Sequence, residues 1–399
     1  MTQAKNPCFF PMQNVIQDYA WGSRTSINQL FDIENPDNKP QAEIWMGAHP
    51  NGCSKIVENG EEQLLSEFIN LDKSGILTLG TDTQFGELPY LFKVLAAESA
   101  LSIQVHPSKE QAEIGFQKEE QAGIPRTAGH RNYKDPNHKP ELVYALTSYQ
   151  AMNGFREIAD VVALFDKASV QAIQSIVDTF KASIDETGLE VFFSALLSLE
   201  GEVKEAAVAE LLAFAKAHKN DPLFSLILEL SELYPGDIGL FAPLMLNVIT
   251  LQPREAMYLD ACTPHAYLKG TGLEIMANSD NVLRAGLTPK FIDVEELVKC
   301  TIFKEKQAST LLANPIDQDG GLFYPVPVDD FKFAVFEDII GLTLRTDSAE
   351  ILLALDAEVT LTHLSGEEVT FNKGESVFIP AYTGKYQITS KGRVARAFN

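Results

Sequence analysis

Apolar and polar positions along this 399-residue chain follow two different periods. Up to about residue 150 the apolar residues come in short runs broken by turn residues: AEIWMGAHPNGCSKI, LPYLFKVLAAESALSIQVHP and PELVYALTSYQAMNGF. Runs of this kind between Gly, Pro and Asn predict strands and loops. From about 156 to 235 the period lengthens. Ile158, Val161, Val162 and Phe165 recur at i, i+3, i+4 and i+7, as do Val208, Leu211, Leu212 and Ala215. That spacing predicts amphipathic helices, and the block stops at Pro235-Gly236. Strand patterning resumes with LMLNVITLQPREAMYLD, and the last ninety or so residues are strand-like again: FKFAV alternates, and VTLTHLSGEEVTF predicts two strands around a Ser-Gly turn. A helical block thus interrupts a β-rich chain.

The β-rich parts contain a faint repeat. LQPREAMYLDACTPHAYL (251–268) aligns without gaps on FNKGESVFIPAYTGKYQI (371–388), with Glu255/Glu375, Ala261/Ala381 and Thr263/Thr383 identical. A strand, a tight turn and a return strand satisfy both copies, so two related β-barrel modules are expected. His265 in the first copy is Lys385 in the second. If the first module binds metal, the second lacks that ligand and is structural.

The segment LSIQVHP sharpens the question of chemistry. Side chains alternate across a strand, so Leu101, Ile103 and Val105 would face a core while Ser102, Gln104 and His106 share the other face. Solvated faces usually carry Lys, Glu or Thr; a row of neutral donors and acceptors ending in histidine suits a pocket floor. Gln104 and His106 at i, i+2 can reach one metal, Lys139 and Glu141 share the same spacing, and His265 is a third candidate. This mixed N/O set without thiolate suits zinc or another first-row divalent ion. A second charged stretch, GLEIMANSDNVLRAGLTPKFID, carries Glu274, Asp280, Arg284 and Lys290 on turn-rich sequence, where catalytic groups are often displayed.

Composition narrows the partners. The net charge of −23 argues against nucleic acid or an anionic membrane, both of which need a basic face. It also requires that any anionic substrate meet a local positive patch. Four cysteines (Cys8, Cys53, Cys262, Cys300) show no CxxC or close pairing, which with the lack of a signal-like start or a membrane-length apolar run predicts a reduced, cytoplasmic protein.

In this order, QVHP, NYKDPNHKPEL, TPHAYL and NSDNVLRAGLTPK resemble the signatures of the type I mannose-6-phosphate isomerase (phosphomannose isomerase) family, zinc-dependent enzymes of the cupin superfamily; DYAWGS and AEIWMGAHP also resemble it. The resemblance spans about 18–293. It implies a mainly β fold with two cupin-like jelly-roll barrels and a helical insertion: a catalytic barrel from 1–154 and 236–310, the insertion at 155–235, and a C-terminal barrel at 311–399 without metal ligands. It implies one zinc ion held by Gln104, His106, Glu141 and His265, catalytic roles for Lys139, Glu274 and Arg284, phosphate contacts from Ser102, Lys93 and Lys290, and Trp21 near the pocket. The implied reaction is the reversible isomerisation of mannose 6-phosphate and fructose 6-phosphate through a cis-enediol(ate), serving mannose metabolism and the supply of mannose for GDP-mannose. A monomer is expected. His49 and His138 are further candidates to line the pocket, and Cys262 stands where a small residue such as glycine is expected. An iron-dependent cupin oxygenase would more naturally carry a His-x-His or His-x-Asp/Glu set, which Gln104 and the cationic positions disfavour. A non-catalytic sugar-binding module would have little use for Lys139, Glu274 and Arg284 together.

Overall fold

The computed structural model describes residues 6–58 and 60–399. Two large, mainly antiparallel sheet systems form two barrels, with helices inserted into the first. The helical periods are realised as read: Ile158–Ala168 buries Ile158, Val161, Val162 and Phe165, and Gly201–Ala217 buries Val208, Leu211 and Ala215. The last insertion helix, Pro222–Leu233, is followed by Gly236 in a left-handed conformation (φ 75°). The block shares one apolar core with Ile103, Val105, Leu283 and Ala285, so it braces the outer side of one sheet of the first barrel.

The region before 150 is less purely β than its pattern suggests. Lys109–Gln121 is a helix, opened by a reciprocal cap between Ser108 and Gln111. It is polar nearly all round, so no apolar stripe announced it.

One strand of the first barrel organises the site. His265–Ala277 begins in one sheet, paired with Ile103–Val105 and Tyr149–Phe155, and finishes in the other, paired with Tyr90–Ala97 and Glu141–Ala145. The crossing occurs at Gly270 (φ 127°), where a Cβ would lie 2.5 Å from the Ser148 carbonyl oxygen. One strand thereby delivers His265 and Glu274 from different sheets into a single interior.

The repeat is a true structural repeat. Strands Ala256–Leu259 and Ser376–Ile379 are 120 positions apart, as are the strand starts at His265 and Lys385. The turns before them match atom for atom: Gln252 N donates to the Glu255 carboxylate at 2.8 Å and Asn372 N to that of Glu375 at 2.7 Å. Arg254 and Gly374 both have φ 83°. Leu259 pairs with Glu141, and its counterpart Ile379 pairs with Glu350. Two residues on, Val143 pairs with Glu274, whereas Leu352 pairs with Arg396. In the second barrel, buried Glu350 is held by the Arg396 guanidinium (2.9 Å) and the Tyr386 hydroxyl (3.0 Å).

The barrels are tied together through a shared core including Phe92, Tyr144, Phe333 and Ile351. The Tyr90 hydroxyl adds bonds to the Ala349 and Ala397 carbonyls (3.1 and 3.0 Å). Phe10–Gln13 pairs with Ser376–Ile379, so this segment is hydrogen-bonded into the second sheet system.

Gly270→Ala is expected to destabilise the protein by about 1–3 kcal/mol, because it adds both a strained backbone and a clash with the main chain. Denaturant titration of the variant checks this; unchanged stability would mean that the strand turns the corner without help from this glycine.

Candidate metal centre and anion pocket

The first barrel's interior face follows from register. Glu43 and Trp45, Lys93 and Leu95, Glu141 and Val143, and Glu274 are alternate or cross-strand partners on the same side of their sheet. On the facing sheet Gln104, Asn153 and His265 are register partners. The strand carrying Gln104 is only Ile103–Val105, so the expected alternation starts one step late. Ile103 and Val105 pack toward the helices as read, but Leu101 turns into the barrel interior and lines the same chamber as Ser102 and Gln104.

His106, Glu141 and His265 are all buried, with potential ligand atoms within 4.8 Å of one another. His106 Nδ1 is bonded to the Asn281 carbonyl (2.7 Å) and His265 Nδ1 to that of Thr263 (2.8 Å). A carbonyl can only accept, so each Nδ1 carries the proton and each Nε2 presents a lone pair. These nitrogens flank the two Glu141 oxygens at 3.4 and 3.5 Å, and His106 Nε2, fully buried, has no hydrogen-bond partner. Two aligned imidazole lone pairs and a carboxylate, with the Gln104 side chain in the same chamber, fit a divalent N/O-preferring ion.

Charge is dense around this centre. A chamber of about 60 Å³ is lined by Glu43, Lys93, Lys139, Glu141 and Glu274, with Ser102, Gln104, His265 and Tyr267. Lys139 Nζ lies 2.9 Å from Glu141. Burial works to raise the Glu141 carboxyl, but Lys139 and the histidines outweigh it and hold it well below the usual range. Lys93 Nζ lies 2.9 Å from Glu274 and 3.8 Å from Glu43. Burial alone would lower its ammonium; those two carboxylates overcome this and keep it charged. The Tyr267 hydroxyl donates to Glu274 (2.7 Å) and Glu141 (3.1 Å), and Trp45 Nε1 donates to Glu43 (2.6 Å). Burial raises the Glu43 carboxyl despite Lys93.

A larger cavity of about 810 Å³ is lined by His49, Lys134, Asp135, Asp280, Arg284, Lys290 and Phe291, among others. It adjoins the metal pocket through one register pair, Arg284 opposite Gln104. Arg284 is lowered by burial; Lys290 is lowered by burial and by Arg284 and Lys134 nearby.

The residues expected from sequence are therefore divided between two spaces. Gln104, His106, Glu141, His265, Lys139 and Glu274 meet in the inner barrel. Arg284 and Lys290 face the outer cavity. The expected phosphate set is not brought together: Ser102 and Lys93 line the inner chamber, and Lys93 is already engaged by two carboxylates. Trp21 lines neither cavity; it stacks on Tyr19 (5.8 Å) and packs on the barrel core. His49 lines the outer cavity, whereas His138 is bonded to Asp330 (2.9 Å) and lines neither. Cys262 does adopt a glycine-like backbone, φ 62°. Its carbonyl and amide tie the loop before His265 to Ile302 and His106. Glu43, Tyr267 and Lys134 were not singled out from sequence, although Tyr267 stands one strand period after His265.

A pair of β-barrels in which one interior holds two lone-pair-presenting imidazoles and a carboxylate defines a metal-binding cupin. Comparison with known proteins makes this specific. Residues 9–158 match the catalytic domain of phosphomannose isomerase type I, 164–246 its helical insertion domain, and 322–399 the mannose-6-phosphate isomerase cupin domain. The mannose-6-phosphate isomerase of Escherichia coli K12 is 47% identical over 388 residues, covering 97% of this chain and 98% of that protein. The human enzyme of that name is 36% identical, with 94% of each chain covered. A zinc-bound structure of mannose 6-phosphate isomerase superposes with TM-score 0.92 at 45% identity, covering 98% of this chain and all of the other. The chain belongs to the type I phosphomannose isomerase family.

Burial, reinforced by Lys139, depresses His106 from 6.5 to about 4. Between these values the unfolded chain holds a proton at this residue that the folded metal-free protein does not, so acidification favours unfolding. Metal-free wild-type protein is expected to lose more stability than a His106→Gln variant between pH 6.5 and 4, read by denaturant titration. Parallel losses would show that this imidazole does not control the acid limb.

Proposed function

We propose that this protein interconverts mannose 6-phosphate and fructose 6-phosphate through a cis-enediolate, with one zinc ion held by Gln104, His106, Glu141 and His265. The observation that carries the proposal is an N/O metal pocket set against Arg284 and Lys290, two cations with no carboxylate partner among the described residues. The zinc-bound relatives support the choice of ion.

The reaction moves a proton between C2 and C1 and another between O1 and O2, so it needs an acid/base group, stabilisation of the developing oxyanion and a phosphate anchor. Bound zinc supplies Lewis-acid polarisation of the sugar oxygens. Lys139 and Glu274 lie in the inner chamber and share ring opening and proton transfer. Lys93 and Tyr267 hold both Glu274 oxygens, which fixes the carboxylate's aim. Arg284, at the junction of the two spaces, meets the enediolate with a charge-assisted bond. Lys290 anchors the phosphate from the outer cavity, with the Ser102 hydroxyl assigned to orienting the bound sugar. The same chemistry run toward mannose 6-phosphate would supply a precursor of GDP-mannose, and we assign it to a cytoplasmic monomer.

Fructose 6-phosphate formation is expected to disappear on chelation and return with zinc; activity indifferent to chelation would remove the metal from the chemistry. Lys290→Ala is expected chiefly to raise KM, because it contacts a non-reacting group, and Arg284→Ala chiefly to lower kcat. Steady-state kinetics showing the opposite split would exchange the two roles.

A further inference from the structure

We propose that Lys134 is a phosphate-binding residue, the third cation of the outer cavity without a carboxylate partner, Arg126 and Arg131 being paired with Glu119 and Glu120; this rests on the sugar-phosphate isomerase reading above. Lys134, Arg284 and Lys290 line the same cavity, and none has an ion-pair partner among the described residues. Burial first, and then Arg284 and Lys134, lower the Lys290 ammonium. Three like charges converging on one cavity, in a chain with 55 acidic and 32 basic residues, raise one another's energy unless an anion joins them.

Of the three acids that line the cavity, Glu87 is raised by burial, and Asp135 and Asp280 are engaged by other groups. Asp135 accepts from the Ser279 hydroxyl (2.9 Å) and the Asp280 amide (2.7 Å). Asp280 is engaged by Asn51 (2.9 Å) and lies 3.6 Å from His49. Nor is Lys134 on a loose segment. Its amide donates to Asn281 Oδ1 (2.7 Å), and Asn281 Nδ2 donates to the Asp135 and Asn137 carbonyls (2.7 and 2.8 Å). Asn281 is fully buried, and its own carbonyl holds His106 Nδ1. A single asparagine thus sets the backbone of Lys134 in register with a metal ligand, fixing the distance between a phosphate on the cations and a sugar carbon at the metal.

The test uses the zinc-loaded enzyme with Lys134→Met, Lys134→Arg and, as a charge-matched control outside the cavity, Lys118→Met. KM for mannose 6-phosphate and Ki for inorganic phosphate are expected to rise together by roughly tenfold in Lys134→Met, as for loss of one charge-assisted contact. The kcat should stay within about twofold, Lys134→Arg should recover most of the affinity, and Lys118→Met should change little. If Lys134→Met moves Ki for phosphate no more than Lys118→Met does, the proposal is wrong and the isomerase reading stands. If the wild-type enzyme fails to isomerise mannose 6-phosphate, that reading falls. Calorimetric phosphate binding by the same variants then decides Lys134 separately: lost affinity supports it, and unchanged affinity overturns it.

Discussion

The first barrel is organised around an excess of buried negative charge. Its interior holds Glu43, Glu141 and Glu274 against two ammonium groups, Lys93 and Lys139. Buried ions are costly unless paired and hydrogen-bonded, and here the pairing is shared: Lys93 serves two carboxylates, Lys139 a third, and Tyr267 bridges Glu141 and Glu274. A divalent ion on His106, Glu141 and His265 would turn a formal balance of −1 into +1. The same charge set that demands a cation for burial therefore provides the electrophilic environment that the proposed enediolate chemistry needs.

Backbone geometry makes that concentration of charge possible. The bend at Gly270 lets a single strand contribute to both sheets, so His265 and Glu274 approach from opposite walls. The helical insertion contributes no side chain to either cavity. Its contribution is rigidity: a continuous core behind Ile103, Val105, Leu283 and Ala285 fixes the strands that carry Gln104 and Arg284.

Much of this was legible in the sequence, for reasons that also mark its limits. The meeting of His106, Glu141 and His265 could be read because long motifs stand in a fixed order, and strand periodicity offered Gln104, two before His106, as a further candidate. The helices of the insertion declared themselves through apolar spacing, and the 120-residue repeat through three identities and matching apolar positions. What stayed hidden depended on which side of a wall a residue faces. Lys93 sits in an otherwise apolar strand, yet only the folded barrel shows it clasped between Glu43 and Glu274. Asn281 and Lys134 are 147 residues apart, and their bond exists only in three dimensions. Leu101 broke the alternation because the strand proper is three residues long, and Leu101, outside it, donates its own amide to the Tyr267 carbonyl. The helix at Lys109–Gln121 lacked an apolar stripe, although its Ser108-x-x-Gln111 cap was there to be read.

The matched positions Glu141 and Glu350 give the two halves of the molecule different relations to their surroundings. Each barrel buries a glutamate at the same point of its sheet, and each must answer it with positive charge. In the second barrel the answer is Arg396, a cation made with the chain and attached to it for good. In the first, part of the answer is an ion borrowed from solution. A borrowed ion can be scarce, exchanged or stolen; a tethered one cannot. The C-terminal half is thus a closed system whose balance is set at synthesis, whereas the catalytic half remains open to the metal supply around it.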